Sequence, residues 1–197
     1  MADWNKYKDT ILELEGGYQK HPSDPGNYNS RGELVGTNHG ISAILYERII
    51  GYPPSEYDMR NITKQEAQNI FYRYYWLPMR ADKIRSQAIA ETFIDHGINA
   101  GKRTSVKMMQ RLLNNEYYTN LEVDGIVGPK TLKAINAAPE KDLFDKFNEA
   151  RIRYYESLGR PVFLAGWIAR VNRIWEKYKY LGGGLASLAF AVGIFFL

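Results

Sequence analysis

The chain contains no cysteine and only three histidines in its 197 residues. The first absence excludes disulfide bridges, thiol nucleophiles and cysteine-ligated zinc together. The second leaves few imidazole ligands. His21 and His39, with Asp24, lack the helical spacing of a zinc-binding histidine pair, so neither a metal nor a cofactor is expected. Charge of one sign is also lacking, since 26 Lys and Arg face 22 Asp and Glu, for a net charge of +4. Such a balance suits a solvated surface or an acidic polymer. No dense basic stripe, helix-turn-helix glycine pattern or RNA-binding signature accompanies it, and nucleic acid is not an expected partner. The opening residues Met-Ala-Asp-Trp-Asn-Lys-Tyr-Lys have no apolar core, so no signal peptide is expected. Internal repeats and low-complexity runs are absent before residue 181. Oligomeric state is not legible.

A long apolar run is missing until the last residues. Residues 181–197 carry no charge and follow Arg170, Arg173, Lys177 and Lys179. As a helix this stretch reaches ~25 Å, at the short limit of a span across ~30 Å of hydrocarbon. Gly182-Gly183-Gly184 at its start reads as a hinge. Two expectations follow: a membrane tether with its basic flank on the cytoplasmic side, or an apolar helix docked on the protein.

The rest is a globular chain of ordinary composition, 45% hydrophobic and 24% charged, long enough for one core with a small appended lobe. Trp4, Tyr7, Ile11, Leu12 and Leu14 repeat at helical spacing up to Gly16-Gly17. Ser42 caps a second helix that Gly51 ends, and Pro53-Pro54 breaks the chain. Thr63 and Glu66 read as a capping box for a helix that runs past Tyr74 to Pro78. Further helices are expected from about Arg85 to Asn99, through Val106, Met109, Leu112 and Leu113, from Pro129, from Pro139 towards Tyr154, and through Phe163, Trp167, Val171 and Trp175. Strand signals are confined to residues 28–41. The fold class is mainly α with a small β excursion.

Chemistry concentrates where the first helix stops. Glu15-Gly16-Gly17-Tyr18 is followed by Asp24-Pro25-Gly26 and then by Thr37-Asn38-His39-Gly40-Ile41. Glu15 ends a helix, at the negative pole of its macrodipole, which disfavours the carboxylate and prepares a general acid. Asp24, in a Pro/Gly turn, is wetter and more easily ionised. Two carboxyl groups in environments that push their proton affinities apart suit glycoside hydrolysis. Taken singly, Glu-Gly-Gly is a common helix stop and Asp-Pro-Gly an ordinary turn.

In combination they resemble the phage-type lysozymes and, more closely, the N-acetylmuramidase family related to bacterial "secretion activator" proteins, glycoside hydrolase family 108. The resemblance extends from Ile11 to Trp175 and includes Tyr74-Tyr75-Trp76, Phe93-Ile94-Asp95-His96-Gly97-Ile98-Asn99-Ala100-Gly101, Asp124-Gly125-Ile126-Val127-Gly128-Pro129 and Gly166-Trp167-Ile168-Ala169-Arg170. It implies a lysozyme-like fold and a bacterial or phage-encoded muramidase, cytoplasmic before release or tethered to a membrane, acting on peptidoglycan. Glu15, Asp24 and Thr37 are its implied catalytic residues. The implied organisation is a muramidase domain at 1–103, a peptidoglycan-binding-like helical lobe at 104–180 and the tail at 181–197. One departure from the family pattern is the ten residues 27–36 between the Asp-Pro-Gly turn and Thr37, read as an irregular loop or short hairpin beside the site.

Tyr18 and Tyr28 flank the carboxylates and are candidates to stack on sugar rings. Asp95 and Asn99, one helical turn apart, either line the sugar groove or hydrogen-bond the Glu15 region, or else form a buried polar pair that fixes helix packing. In the lobe, Asp124-Gly125 through Thr131 reads as a tight turn feeding a helix. Two rival functions share these residues: a non-catalytic wall-binding or export-assisting protein, and a lytic transglycosylase, which needs the acid but no water-activating aspartate.

Overall fold

The computed structural model describes residues 1–181, apart from the side chains of residues 13–15. The tail at 182–197, with both of its readings, lies outside the described residues. Among the described residues no helix is long and apolar enough to cross a membrane.

The architecture is mainly α and lysozyme-like. Among the described residues, the extended backbone amounts to three isolated antiparallel bridges, Gln19–Thr37, Tyr28–Leu34 and Asn38–Ile41. The first helical stretch is split. Asp3 accepts from the Asn5 amide and caps a 3₁₀ turn over Trp4–Lys6, and helix α1 follows over Lys8–Glu15. Helix α2, Ala43–Ile50, starts at Ser42 and stops at a left-handed Gly51, as its spacing predicts.

The capping boxes differ from expectation. Thr63 does cap α4, Lys64–Phe71, by accepting from the Glu66 amide. The Glu66 carboxylate, however, accepts from the Tyr46 hydroxyl at 2.8 Å. Tyr46 is buried on α2, and its hydroxyl requires an acceptor there. The reciprocal box belongs to Ser55 and Asp58 at the head of a short helix α3, Glu56–Arg60, just past Pro53-Pro54. Beyond α4 the chain continues as a π-helical turn, Tyr72–Trp76. Trp76 packs against Trp4 and Tyr7 with ring centroids 5.4 and 6.1 Å apart. This aromatic cluster fixes the start of α1 and, through it, the helix end that carries Glu15.

Helix α5, Gln87–Ala100, is the axis of the molecule, and every residue from Ala88 to Gly97 is buried. Around it pack α6 (Lys102–Tyr117), α8 (Glu140–Ser157) and α9 (Pro161–Lys177), while α7 (Pro129–Ala137) rests on α6. Phe93 of α5 meets Phe147 of α8 edge-on, with centroids 6.0 Å apart. Each such buried side chain stabilises the fold by ~1.5–3 kcal/mol. One continuous core runs from Tyr7 through Phe93 to Ile174.

Candidate active site

Helix α1 ends because of its backbone. Gly16 has φ 69° and ψ −164°, a conformation essentially reserved for glycine. Glu15 is thereby the last residue of α1, and its side chain lies outside what the structure describes. Three segments meet beyond that point.

The first is the Asp24 turn. Asp24 Oδ1 accepts from the Gly26 amide at 2.9 Å, capping a 3₁₀ turn over Pro25–Asn27. Its other oxygen, Oδ2, accepts from Gln19 Nε2 at 2.8 Å. The second is the Thr37 segment, bonded to Gln19 through both backbone groups at 2.9 Å. Thr37 Oγ1 donates to the Gly26 carbonyl at 3.3 Å. A Cβ on Gly26 would sit 3.2 Å from Asp24 Oδ1 and 3.8 Å from Thr37 Oγ1, so the carboxylate and the hydroxyl both lie beside this glycine. The third link runs through His39. His39 and Gly40 have φ of 47° and 73°, the paired left-handed residues of a tight hairpin turn closed by Asn38 and Ile41. That turn brings His39 Nδ1 within 3.3 Å of the Gly16 carbonyl. The backbone beside Glu15, Asp24 and Thr37 is therefore held in one place.

Residues 27–36 fold back on themselves. The Asn27 carbonyl accepts from the amides of Val35 and Gly36 at 2.8 and 2.9 Å, and Tyr28 pairs with Leu34. At the tip, Asn29 Oδ1 accepts from the amides of Arg31 and Glu33, and Ser30 bonds to Glu47 on α2. The insertion is a compact hairpin leaning on α2, and the chain re-enters the site where it left.

Tyr18 and Tyr28 both lie half-buried near this turn. Tyr18 donates to the Val35 carbonyl at 3.0 Å, and the Arg60 guanidinium covers its ring at 3.9 Å from the centroid. Burial, with the Glu56 carboxylate adding to it, pushes its hydroxyl pKa up. Gly36, at φ 91°, is required here twice over, since a Cβ would meet the Tyr18 ring at 2.6 Å. Tyr28 donates to the Pro22 carbonyl at 2.9 Å. Lys20 and Arg60 both pair with Glu56, whose carboxyl they hold down to about 2.

Asp95 is placed otherwise. It is fully buried between Arg151 of α8 and Arg170 of α9; Arg170 Nε reaches Oδ1 at 2.6 Å and Arg151 bonds Oδ2. Burial alone would raise its pKa, but Arg170 and Arg151 outweigh it and hold the carboxyl below the usual range. Of its two readings, helix packing is the one this geometry performs, and the placement of Asp95 as a groove residue is corrected by its burial. Asn99 is exposed at the end of α5 and donates to the Asp95 carbonyl at 3.0 Å, within its own helix. The two side chains do not form the pair that their spacing suggests.

The Asp124 turn is likewise structural. Gln110 of α6, almost wholly buried, donates to Asp124 Oδ1 at 2.8 Å and accepts from the Gly125 amide at 2.9 Å. Among the described residues no cluster of His, Asp and Glu could hold a metal ion.

Sequence reasoning passed over Gln19 and Asn27, and weighed His39 only as a metal ligand. Gln19 and His39 act through contacts made across the bridge and the turn. Asn27 is fully buried inside a polar loop, which its identity alone does not signal.

Residues 8–101 match the family described as Glycosyl hydrolase 108, and residues 104–172 match the Predicted Peptidoglycan domain. No curated protein sequence matches the chain. The solved structure of Brucella abortus SagA is similar, with a TM-score of 0.73 and 26% identity over 88% of this chain and 92% of that one. Asp95 lies in the first matched stretch, and its partners Arg151 and Arg170 lie in the second, so one buried ion cluster joins the two. Residues 8–101 thus belong to the glycosyl hydrolase 108 family, and the chain is a glycoside hydrolase of the peptidoglycan-hydrolase type.

Proposed function

We propose that the chain is an N-acetylmuramidase that cleaves the β-1,4 bond between N-acetylmuramic acid and N-acetylglucosamine. In this reading Glu15 protonates the leaving oxygen. Asp24 acts on the positive charge developing at the anomeric carbon or on the attacking water. Thr37, whose hydroxyl already donates to the Gly26 carbonyl, offers its oxygen lone pairs to that water. The observation that supports the proposal is the placement of the Asp24 carboxylate and the Thr37 hydroxyl together beside Gly26, with the backbone next to Glu15 tied to the Thr37 segment by His39.

The hydroxyls of Tyr18 and Tyr28 are engaged by backbone carbonyls, and in this reading it is their rings that meet the sugar. Asn99, exposed at the end of α5, is kept as a contact to the glycan. We assign catalysis to 1–103 and retention on the wall to the lobe at 104–180.

Digestion of purified peptidoglycan with mass analysis of the products tests this. Fragments ending in reducing N-acetylmuramic acid are expected. Anhydro-muramic ends replace the reading with a lytic transglycosylase, and undigested wall that still retains the protein replaces it with a non-catalytic binder.

A further inference from the structure

The Asp24 carboxylate does not stand alone. Gln19 reaches it with one side-chain donor and is itself locked on both sides. Gln19 Nε2 donates to Asp24 Oδ2 at 2.8 Å and to Asn27 Oδ1 at 3.0 Å. Gln19 Oε1 accepts from Asn27 Nδ2 at 2.8 Å and from the His21 amide at 3.0 Å. Asn27 is fully buried, and its Nδ2 also donates to the His21 carbonyl at 2.9 Å. The Gln19 backbone is pinned too, by the paired bonds to Thr37. Gln19 therefore touches both flanks of the turn, Asp24 with its side chain and Thr37 with its backbone. Its amide cannot flip without turning its oxygen onto the Asp24 carboxylate and breaking both contacts to Asn27.

We propose that Gln19 is a positioning residue for Asp24: it aims one carboxylate oxygen, leaves the remaining lone pairs for the reacting centre, and couples that aim to the Thr37 strand. The inference rests on the reading of Asp24 given above. Asp24 Oδ1 is already fixed by the Gly26 amide, so Gln19 sets the second point that defines the plane of the carboxylate. A catalytic group must be held within a fraction of an ångström of its working geometry, and here the brace comes from an amide whose other bonds lead into a buried asparagine.

The test is a double-mutant cycle on peptidoglycan turnover. Gln19→Met keeps the length of the side chain and removes its hydrogen bonds. Loss of a hydrogen bond to a charged group is expected to lower kcat about ten- to a hundredfold, with KM within about twofold. On the Asp24→Asn background, followed by accumulated product, the same substitution is expected to cost nothing further. Gln19→Glu is the companion variant in case the methionine unfolds the loop. It keeps the acceptor for the Asn27 side-chain amide and the His21 amide, replaces the donor to Asp24 and Asn27 Oδ1 by a carboxylate oxygen that also repels Asp24, and should lower kcat at least as far, with no further cost on the Asp24→Asn background. Equal losses on both backgrounds, a loss confined to KM, or no loss in a folded variant overturns the proposal while leaving the hydrolase reading intact. Wild-type turnover by Asp24→Asn overturns the reading of Asp24, and this proposal with it.

Discussion

Two aspartates show how the same side chain is put to opposite uses in the two regions of this molecule. Asp24 sits in a turn, half exposed, and its carboxylate is held by an amide N–H and a neutral glutamine. Asp95 sits on the central helix with no exposure, held by two guanidinium groups from α8 and α9. Neutral donors hold a carboxylate in place and leave its charge available. Cations neutralise it, which is what burial demands, because an unpaired buried charge costs several kcal/mol. The difference teaches that partner type and exposure, rather than residue type, separate the carboxylate proposed for catalysis from the one that holds helices together.

The sharpest break of that comparison is at the reactive end. Glu15→Gln removes the transferable proton without changing shape, and peptidoglycan turnover should fall by ~10²–10⁴-fold in a chain that melts as the wild type does. Asp24→Asn should lower kcat steeply while pull-down on insoluble wall stays unchanged. Retention of more than half the wild-type rate by either folded variant would remove that residue from the mechanism.

At the structural end, Asp95→Ala leaves Arg151 and Arg170 buried against each other. Denaturant unfolding should show a loss of ~3–5 kcal/mol, with any surviving folded enzyme still active. A loss below 1 kcal/mol would mean that the ion cluster is not the joint between the two matched stretches.

His96, next to Asp95 in sequence, gives a pH signature of the same buried region. It lies fully buried among Phe147, Tyr154 and Tyr155; burial first, and Arg151 second, push its pKa down to about 3. The unfolded chain protonates this histidine near its ordinary value of about 6.5, whereas the folded chain does not. Below that pH the unfolded state binds more protons, so stability present above about 6.5 is lost as the pH falls towards 3. The slope is up to ~1.4 kcal/mol per pH unit. Asp95, also held low, adds its own loss only at more acid pH. His96→Leu should flatten the stability profile between pH 6 and 4; an unchanged slope would locate the acid sensitivity elsewhere.

The smallest effect sharpens the site itself. Tyr18→Phe removes the hydrogen bond to the Val35 carbonyl, with the hydroxyl's weaker interaction with Glu56, and keeps the ring under Arg60. A stability loss of ~0.5–1.5 kcal/mol with little change in KM is expected, since the proposed contact with sugar is through the ring. A large rise in KM would show that the hydroxyl, not the ring, meets the substrate.

How much of this was legible in the chain follows from the range of each interaction. Helix starts at Ser42, Thr63 and Pro129 and the stops at Gly16, Gly51 and Gly101 are local: a cap or a left-handed backbone depends on residues a few positions apart, and these were readable. The grouping of Glu15, Asp24 and Thr37 rested instead on the family resemblance, since no local rule reaches across residues 27–36. Local readings failed where a distant partner competed. Glu66 had a near partner at Thr63 but bonded Tyr46, and Asp95 had a near partner in Asn99 but bonded two arginines more than fifty residues away.

By itself the sequence determined a mainly α chain, a helix that must end at Glu15, and a turn that must expose Asp24, since backbone angles and caps are short-range physics. Tertiary structure alone decided that Gln19 braces Asp24, that the hairpin at 27–36 returns Thr37 to the turn, and that Asp95 closes an ion cluster across the two matched stretches. Those outcomes depend on burial, and burial makes a polar group seek whatever partner the packed chain brings within reach.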